Sequence, residues 1–114
     1  MKKFTKPSQI WAWAAKNLEQ GEGSLYSDGK YCALGAIGHA IGLSDEKLGN
    51  NPAQYSYPRI YAWDGLKDLE YDLMQIYGRE EALYHVAIHS IYNLNDQEGW
   101  TFEQFAIAAK MLGH

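Results

Sequence analysis

The sequence predicts a mainly α-helical protein that folds as one compact domain, a bundle of about five helices over residues 1–114. Three observations indicate this fold class. Apolar residues recur at helical spacing along most of the chain, side chains that cap helices precede these segments, and glycines follow several of them. A chain of 114 residues, of which 46 % are hydrophobic, is long enough to bury a core of its own.

The first predicted helix begins near Lys6, where Thr5 can cap it and Pro7 suits its first turn. Its apolar positions at helical spacing are Ile10, Trp11, Ala14, Ala15 and Leu18. Gly21 is expected to end this helix. The segment 21–29 is expected to be a loop, with a short hairpin near residues 22–30 as the alternative.

The second predicted helix covers residues 31–43 and carries Gly35, Gly38 and Gly42 close to one face. Each glycine costs about 1 kcal/mol relative to alanine in a helix interior. We therefore expect another helix to approach this face so closely that side chains would not fit. Ser44 is expected to cap a short further turn.

Three further helices are predicted after a polar and aromatic connection over residues 49–58. Asp64 is expected to cap the first of them and Gly78 to end it, while Thr101 and Gln104 form a capping box for the last. The apolar positions of the three helices are, in order, Leu66, Leu69, Leu73 and Ile76; then Leu83, Val86, Ala87, Ile91 and Leu94; then Phe102, Phe105, Ala106, Ala109 and Leu112.

Charge and cysteine content exclude several classes of protein. A formal net charge of −4 disfavours a protein that coats nucleic acid, because such proteins present a concentrated basic face. Cys32 is the single cysteine, which favours a reducing compartment. No stretch approaches the ~20 apolar residues of a membrane span, and no apolar run follows the basic N-terminus. We therefore expect a cytoplasmic protein that binds neither nucleic acid nor membranes.

Cys32 is the candidate nucleophile, because it stands at the predicted start of the second helix, where amide dipoles can stabilise a thiolate. A cysteine-dependent hydrolase or transferase would use His85 or His89 as its base, with Asn95 or Asp96 to orient that base. The alternative is that Cys32 packs as a small apolar residue in a tight helix contact. We favour packing, because the order and spacing match no common cysteine-protease signature.

A metal site is also weighed, because His85 and His89 lie four residues apart on a predicted helix, which is metal-ligand spacing. The zinc-protease motif needs a glutamate directly after the first histidine, and Val86 stands there. Residues 95–99 do not form a calcium loop, because Phe105 would occupy the twelfth position. We therefore predict no metal and no cofactor, and a small-ligand or metal-binding protein remains the third hypothesis.

Two segments together resemble a family of short phage and bacterial proteins. An aromatic–Cys–Ala–x–Gly–Ala motif occupies residues 31–36, and an Asn–Asp pair follows about sixty residues later at residues 95–96, before a Thr-capped helix. The segment 44–79 lies outside the resemblance, and Leu94 stands where the family has an aromatic residue. The resemblance implies a phage accessory protein whose partner is a host protein. It implies no particular activity.

The function favoured by these observations is a non-enzymatic protein-binding module, with inhibition of a host defence protein as one specific form. Small size, mild acidity and the 14 % aromatic content support it, because tyrosine and tryptophan are enriched where proteins bind each other. The expected contact surface combines the Tyr-rich connection with the acidic face of the following helix. Its residues are Tyr55, Tyr57, Tyr61, Asp64, Asp68 and Asp72.

Overall fold

A computed structural model describes residues 4–50, 54–63, 65–77 and 90–114. Within these residues the chain forms seven helices and three short strands, which confirms the mainly α-helical fold class. In chain order they are α1 (Pro7–Asn17), β1 (Glu19–Gln20), β2 (Tyr26–Ser27), β3 (Lys30–Tyr31), α2 (Ala33–Ala40), α3 (Asp45–Gly49), α4 (Ser56–Ala62), α5 (Leu66–Tyr77), α6 (Ser90–Asp96) and α7 (Phe102–Met111). The Cα radius of gyration is 12.7 Å, as expected of one domain of this length. Among the described helices, none is long and apolar enough to cross a membrane.

The helices α1 and α7 pack side by side and run antiparallel. The backbone N–H of Ser8, at the start of α1, donates to the carbonyl of His114 beyond the end of α7 at 3.2 Å. In the middle of α1, the ring of Trp11 lies 4.9 Å from the ring of Phe105, and both side chains are fully buried. This pair of helices forms the most extensive contact between elements in the described residues.

Both ends of α1 differ from the prediction. The N-cap is Lys6, and Thr5 does not cap the helix: its hydroxyl donates instead to the side chain of Gln9 at 3.1 Å. The helix ends at Asn17 rather than at Gly21. The reason is that β1 follows at once and pairs with β3, so its backbone groups serve a sheet instead of a helix.

The three strands form a small sheet in the order β1-β3-β2. Strands β2 and β3 make an antiparallel hairpin, which confirms the hairpin alternative for this segment. Its turn residues Asp28 and Gly29 have φ angles of 52° and 80°, which suit a tight hairpin turn between right-handed twisted strands. The parallel pairing of Gln20 with Tyr31 was not predicted.

The helix α2 is the buried centre of the domain and contacts α1, α3, α4 and α6. A Cβ atom at Gly35 would lie 1.8 Å from the backbone oxygen of Leu25, and one at Gly38 would lie 2.7 Å from the side chain of Leu48 in α3. Close approach is therefore confirmed, although at Gly35 the neighbour is a loop and not a helix. Gly42 was wrongly placed on this face: α2 ends before it, and its φ of 105° suits the turn that leaves the helix.

The connection predicted over residues 49–58 is partly helical. The hydroxyl of Ser44 accepts from the backbone N–H of Lys47 at 3.2 Å, which confirms the predicted cap of α3. The helix α4 begins at Ser56 and carries Pro58 in its first turn, where a missing N–H breaks no helical hydrogen bond.

The last three helices largely follow their apolar patterns. Leu66, Leu69 and Leu73 are fully buried in α5, but Ile76 is 50 % exposed. The predicted capping box of α7 is confirmed. The predicted cap Asp64 and the segment 78–89, which includes Gly78 and most of the next predicted helix, lie outside the described residues.

Candidate functional site

The two segments 31–36 and 95–96 meet at Asn95, which is only 3 % exposed. Its side-chain oxygen accepts from the backbone N–H of Ala33 at 3.0 Å and from Nε2 of Gln20 at 2.8 Å. Its side-chain nitrogen donates to the carbonyl of Gly21 at 3.0 Å and to the carboxylate of Asp96 at 2.7 Å. The hydrogen-bonding capacity of the amide is thus used within the protein, and Asn95 ties α6 to β1 and to the first turn of α2.

Gln20 is the second member of this network, and the sequence analysis missed it. Its Nε2 also donates to the carbonyl of Trp100 at 2.7 Å, and its Oε1 accepts from the backbone N–H of Phe102 at 2.7 Å. Gln20 therefore links β1 to α6 and to the start of α7. Nothing local in the sequence marks this role, because its partners lie 75 to 82 residues further along the chain.

Cys32 is the N-cap of α2, and its Sγ accepts from the backbone N–H of Gly35 at 3.4 Å. The side chain is 2 % exposed. Burial raises the pKa of the thiol to about 11, while the hydrogen bonds from the backbone of Gly35 and Leu34 lower it by less. The amides at the helix start thus favour the thiolate, as the sequence analysis expected, but burial outweighs them. The geometry describes a packed thiol rather than an activated one.

Asp96 lies close enough to Cys32 for its charge to raise the pKa of the thiol further. A hydrogen bond with Asp96 also raises the pKa of the Tyr92 hydroxyl. Burial raises the pKa of Tyr57 to about 12, and the charges of Cys32, Tyr92 and Asp96 add to this effect. The structure therefore brings the candidate nucleophile and the candidate orienter together. However, a carboxylate near a thiol disfavours the thiolate, so this arrangement does not activate Cys32.

The candidate bases and metal ligands His85 and His89 lie outside the described residues. Within the part of the chain that the structure describes, no group of three or more histidine, cysteine, aspartate or glutamate side chains is placed to hold a metal ion.

The first predicted contact residue, Tyr55, is half-buried between two cations. Nζ of Lys47 lies 4.5 Å from the centre of its ring, and the guanidinium of Arg59 lies 4.3 Å from it. Both distances are typical of cation–π contacts. The surface around Tyr55 is therefore basic, and the described acidic residues of the predicted contact surface, Asp68 and Asp72, lie on α5.

Tyr61 is a core residue and not a contact residue, since it is 7 % exposed. Its hydroxyl donates at 3.0 Å to Oε2 of Glu70, which is 1 % exposed, and the same oxygen accepts from the backbone N–H of Ile91 at 3.2 Å. Burial and the charge of Glu70 both raise the pKa of Tyr61. Tyr57 stacks on Tyr61 at 6.4 Å between ring centres and is itself half-buried. These contacts join α4, α5 and α6.

The acidic residues of the predicted contact surface differ in exposure and in the contacts that they make. Asp68 is exposed on α5. Asp72 is half-buried, and its Oδ2 lies 2.8 Å from Nε2 of His114 beyond α7. Asp64 lies outside the described residues. Of the described members, Asp68 is exposed, and Tyr55, Tyr57 and Asp72 are partly accessible.

A second surface, which the sequence analysis missed, is a groove of about 550 Å³ between α1 and α7. We call it the α1–α7 groove. Small residues line it, namely Ala12 and Ala15 of α1 and Ala106 of α7. Ile107, at its edge, is 56 % exposed, and Met111, one turn further along α7, is 79 % exposed. The signal was present in the sequence, since both residues fall outside the inward-facing pattern of the last helix.

The charged residues that line the α1–α7 groove are mostly basic. In the part of the chain that the structure describes, Lys6, Lys16 and Lys110 line it, together with one acidic residue, Glu103. Because α1 and α7 are antiparallel, Lys6 and Lys110 lie at one end of the groove, and Lys16 and Glu103 lie at the other.

A further groove of about 550 Å³ lies beside the small sheet. Its charged lining residues Glu22, Asp28 and Lys30 are of mixed sign. Its polar floor includes Gln20 and Asn95, whose side-chain hydrogen bonds to the protein are described above, so no unpaired buried group from that network points into it.

Comparison of the chain with protein-family models, with curated proteins and with solved structures found no match. The resemblance of residues 31–36 and 95–96 to a phage family therefore remains a prediction, and the function is argued from the geometry.

Proposed function

We propose that the protein is a non-enzymatic protein-binding module that contacts its partner through the α1–α7 groove. The observation that carries this proposal is the exposure of Ile107, which lines the groove next to three alanines, and of Met111, which lies one turn further along α7. Exposed apolar side chains that cluster at a groove are typical of protein interaction sites. A methionine at such a surface adapts readily to the shape of a partner.

The chemistry of the motif residues supports a binding role over the cysteine-enzyme alternative. Asn95 is consumed by four hydrogen bonds within the protein. The thiol of Cys32 is buried, and its pKa is raised to about 11, whereas catalytic cysteines have lowered pKa values. Cys32 and Asn95 therefore stabilise the fold, and the proposed contact with the partner lies on another surface.

The partner that the family resemblance implies is a cytoplasmic host protein. A phage accessory protein of this size could inhibit a host defence protein by covering a surface that the defence protein needs. This specific form of the proposal rests on the resemblance of residues 31–36 and 95–96, and the α1–α7 groove supplies the surface for it.

The test is capture of a partner from a bacterial lysate by the immobilised protein, compared between two matched surface variants. Ile107→Glu/Met111→Glu changes the groove, and Tyr71→Glu/Ile76→Glu changes the exposed apolar pair of α5. All four side chains are at least half exposed, so both variants should keep their stability within about 1 kcal/mol. We expect the groove variant to lose a stoichiometric partner that the α5 variant retains.

Capture of the same partner at equal strength by both variants would overturn the assignment of the groove. A third variant, Tyr55→Ala/Asp68→Ala, reports on the surface predicted from the sequence. If that variant alone loses the partner, the binding function stands but the contact surface is the predicted one.

A further inference from the structure

We infer that the α1–α7 groove binds an acidic amphipathic helix of the partner protein. The inference rests on the proposed binding function and adds the chemistry of the partner to it.

The dimensions of the groove fit a short helix. The helices α1 and α7 have 11 and 10 residues, so each extends for about 16 Å at ~1.5 Å per residue. A partner helix of about three turns spans this length. The side chains of Ala12, Ala15 and Ala106 are small, so the groove accepts large apolar side chains from the partner and lets its backbone approach closely.

The positions of the exposed apolar side chains on α7 indicate which residues of the partner helix should be apolar. Ile107 and Met111 are one turn apart on the same face of α7. A helix that lies along α7 covers both if it presents apolar residues at positions i, i+3 or i+4, and i+7. This is the general pattern of helices that bind in grooves.

The charges of the groove select an acidic partner. Among the described residues, three lysines line the groove, against one acidic residue, Glu103. Within the described lining, positive charges therefore outnumber negative ones by two, in a protein whose net charge is −4. Such a reversal attracts acidic segments and repels basic ones. We expect the carboxylates of the partner to lie mainly at the end where Lys6 and Lys110 are located.

The test uses a display library of random 16-residue peptides, selected against the purified protein and against an inert control protein. Enriched peptides are synthesised with a fluorescent label, and their affinity is measured by anisotropy. We expect enriched sequences to be net acidic, with apolar residues at helical spacing. Ile107→Glu/Met111→Glu should weaken binding at least about tenfold, which is about 1.4 kcal/mol. The matched control Tyr71→Glu/Ile76→Glu should bind normally.

A second variant, Lys6→Gln/Lys110→Gln, tests the attraction between the lysines and acidic peptides. It keeps both side chains long but removes two positive charges. We expect this variant to bind the acidic peptides more weakly at low salt and to show less dependence of affinity on salt, because the removed attraction is the one that salt screens. Equal affinity and equal salt dependence in this variant would overturn the acidic assignment.

The remaining outcomes separate this inference from the proposed function. Enriched peptides that are basic, or that bind the groove variant as well as the wild type, would overturn the inference and leave a binding module that uses another surface. No enrichment above the inert control, together with no partner from the lysate, would overturn both. Self-association that the groove variant loses would identify a second copy of this chain as the occupant. Binding to vesicles of phosphatidylserine and phosphatidylcholine that only the groove variant loses would identify a lipid surface instead.

Discussion

The side-chain oxygen of Asn95 accepts a hydrogen bond from the backbone N–H of Ala33 at 3.0 Å, across 62 residues of chain. The first residue belongs to the Asn–Asp pair and the second to the aromatic–Cys–Ala–x–Gly–Ala motif. One segment supplies the acceptor, and the other supplies an N–H at the start of α2 that has no partner within its own helix. This contact joins the two segments through a hydrogen bond that serves the fold.

Replacing Asn95 with alanine should destabilise the protein by about 2–4 kcal/mol. The change leaves the buried N–H of Ala33 without an acceptor and removes one of the two acceptors of Gln20 Nε2, which keeps the carbonyl of Trp100, and each unsatisfied buried group costs about 1–3 kcal/mol. Urea unfolding measures the loss. Asn93→Ala, at a half-exposed position of the same helix, is the control and should cost less than about 1 kcal/mol. Equal losses in the two variants would contradict a structural role specific to Asn95.

Gly35→Ala should be much more destabilising than Gly38→Ala, although both lie inside α2. The new Cβ at Gly35 meets the backbone oxygen of Leu25 at 1.8 Å, so the helix or the loop must move. At Gly38 its nearest neighbour is the end of the Leu48 side chain at 2.7 Å, which can rotate. Alanine gains about 1 kcal/mol of helix propensity at both positions. We expect a loss of about 3 kcal/mol or more at Gly35, and under about 2 kcal/mol at Gly38, by urea unfolding. The reverse order would show that the loop at Leu25 yields easily.

The buried thiol of Cys32 should make the protein less stable at alkaline pH. The pKa of the thiol rises from its ordinary value of 9.0 to about 11 in the folded protein, so the unfolded chain loses its proton first. The contribution of the protonated thiol to the free energy of unfolding is therefore complete below pH 9 and is lost as the pH rises through about 11. A shift of this size corresponds to roughly 3 kcal/mol.

The control for this prediction is Cys32→Ser, because a serine hydroxyl does not titrate in this range and can still cap α2. The tyrosines with raised pKa values titrate in both proteins, so the difference between the two reports the thiol together with the effect of its charge on Tyr57, Tyr61 and Tyr92. We expect the free energy of unfolding to fall less steeply for Cys32→Ser between pH 9 and 11. Parallel curves would show that the thiol is not protected by the fold.

Iodoacetamide should modify Cys32 slowly in the folded protein at pH 8 and rapidly once urea unfolds it. The reason is that a thiol that is 2 % exposed and largely protonated presents almost no thiolate to the reagent. Mass spectrometry across the urea transition measures the modified fraction. Rapid modification of the folded protein below pH 8 would instead favour the cysteine-enzyme hypothesis over the binding module.

The features predicted correctly are those whose partners lie a few residues apart. Thr101 and Gln104 form their capping box, with the N–H of Gln104 donating to the Thr101 hydroxyl at 3.1 Å and the N–H of Thr101 donating to the Gln104 side chain at 2.8 Å. Ser44 caps α3 in the same way. Because both partners of a cap are close in sequence, the residue types alone indicate the bond.

The features predicted wrongly depend on which element packs against which. Gly21 was expected to end the first helix, which stops earlier because Glu19 and Gln20 pair with a strand beyond a loop. Tyr61 was expected on a contact surface, but its ring is buried and its hydroxyl serves Glu70 on a neighbouring helix. The sequence close to these residues indicates neither the early end of α1 nor the burial of Tyr61. On a short helix, the spacing of neighbouring residues is the same for an exposed and a buried tyrosine.

The sequence by itself determined the mainly α-helical fold class, most of the described helices and the caps at Ser44 and Thr101, because helix periodicity and capping act over three or four residues. The tertiary structure alone decided the direction of the pKa shift of Cys32, the partners of Asn95 and the existence of the α1–α7 groove. Each of these depends on groups brought together from distant parts of the chain, where burial outweighs local dipoles and an amide oxygen in one helix supplies the cap of another. Periodicity assigns a residue to a face, but only packing decides whether another element covers that face.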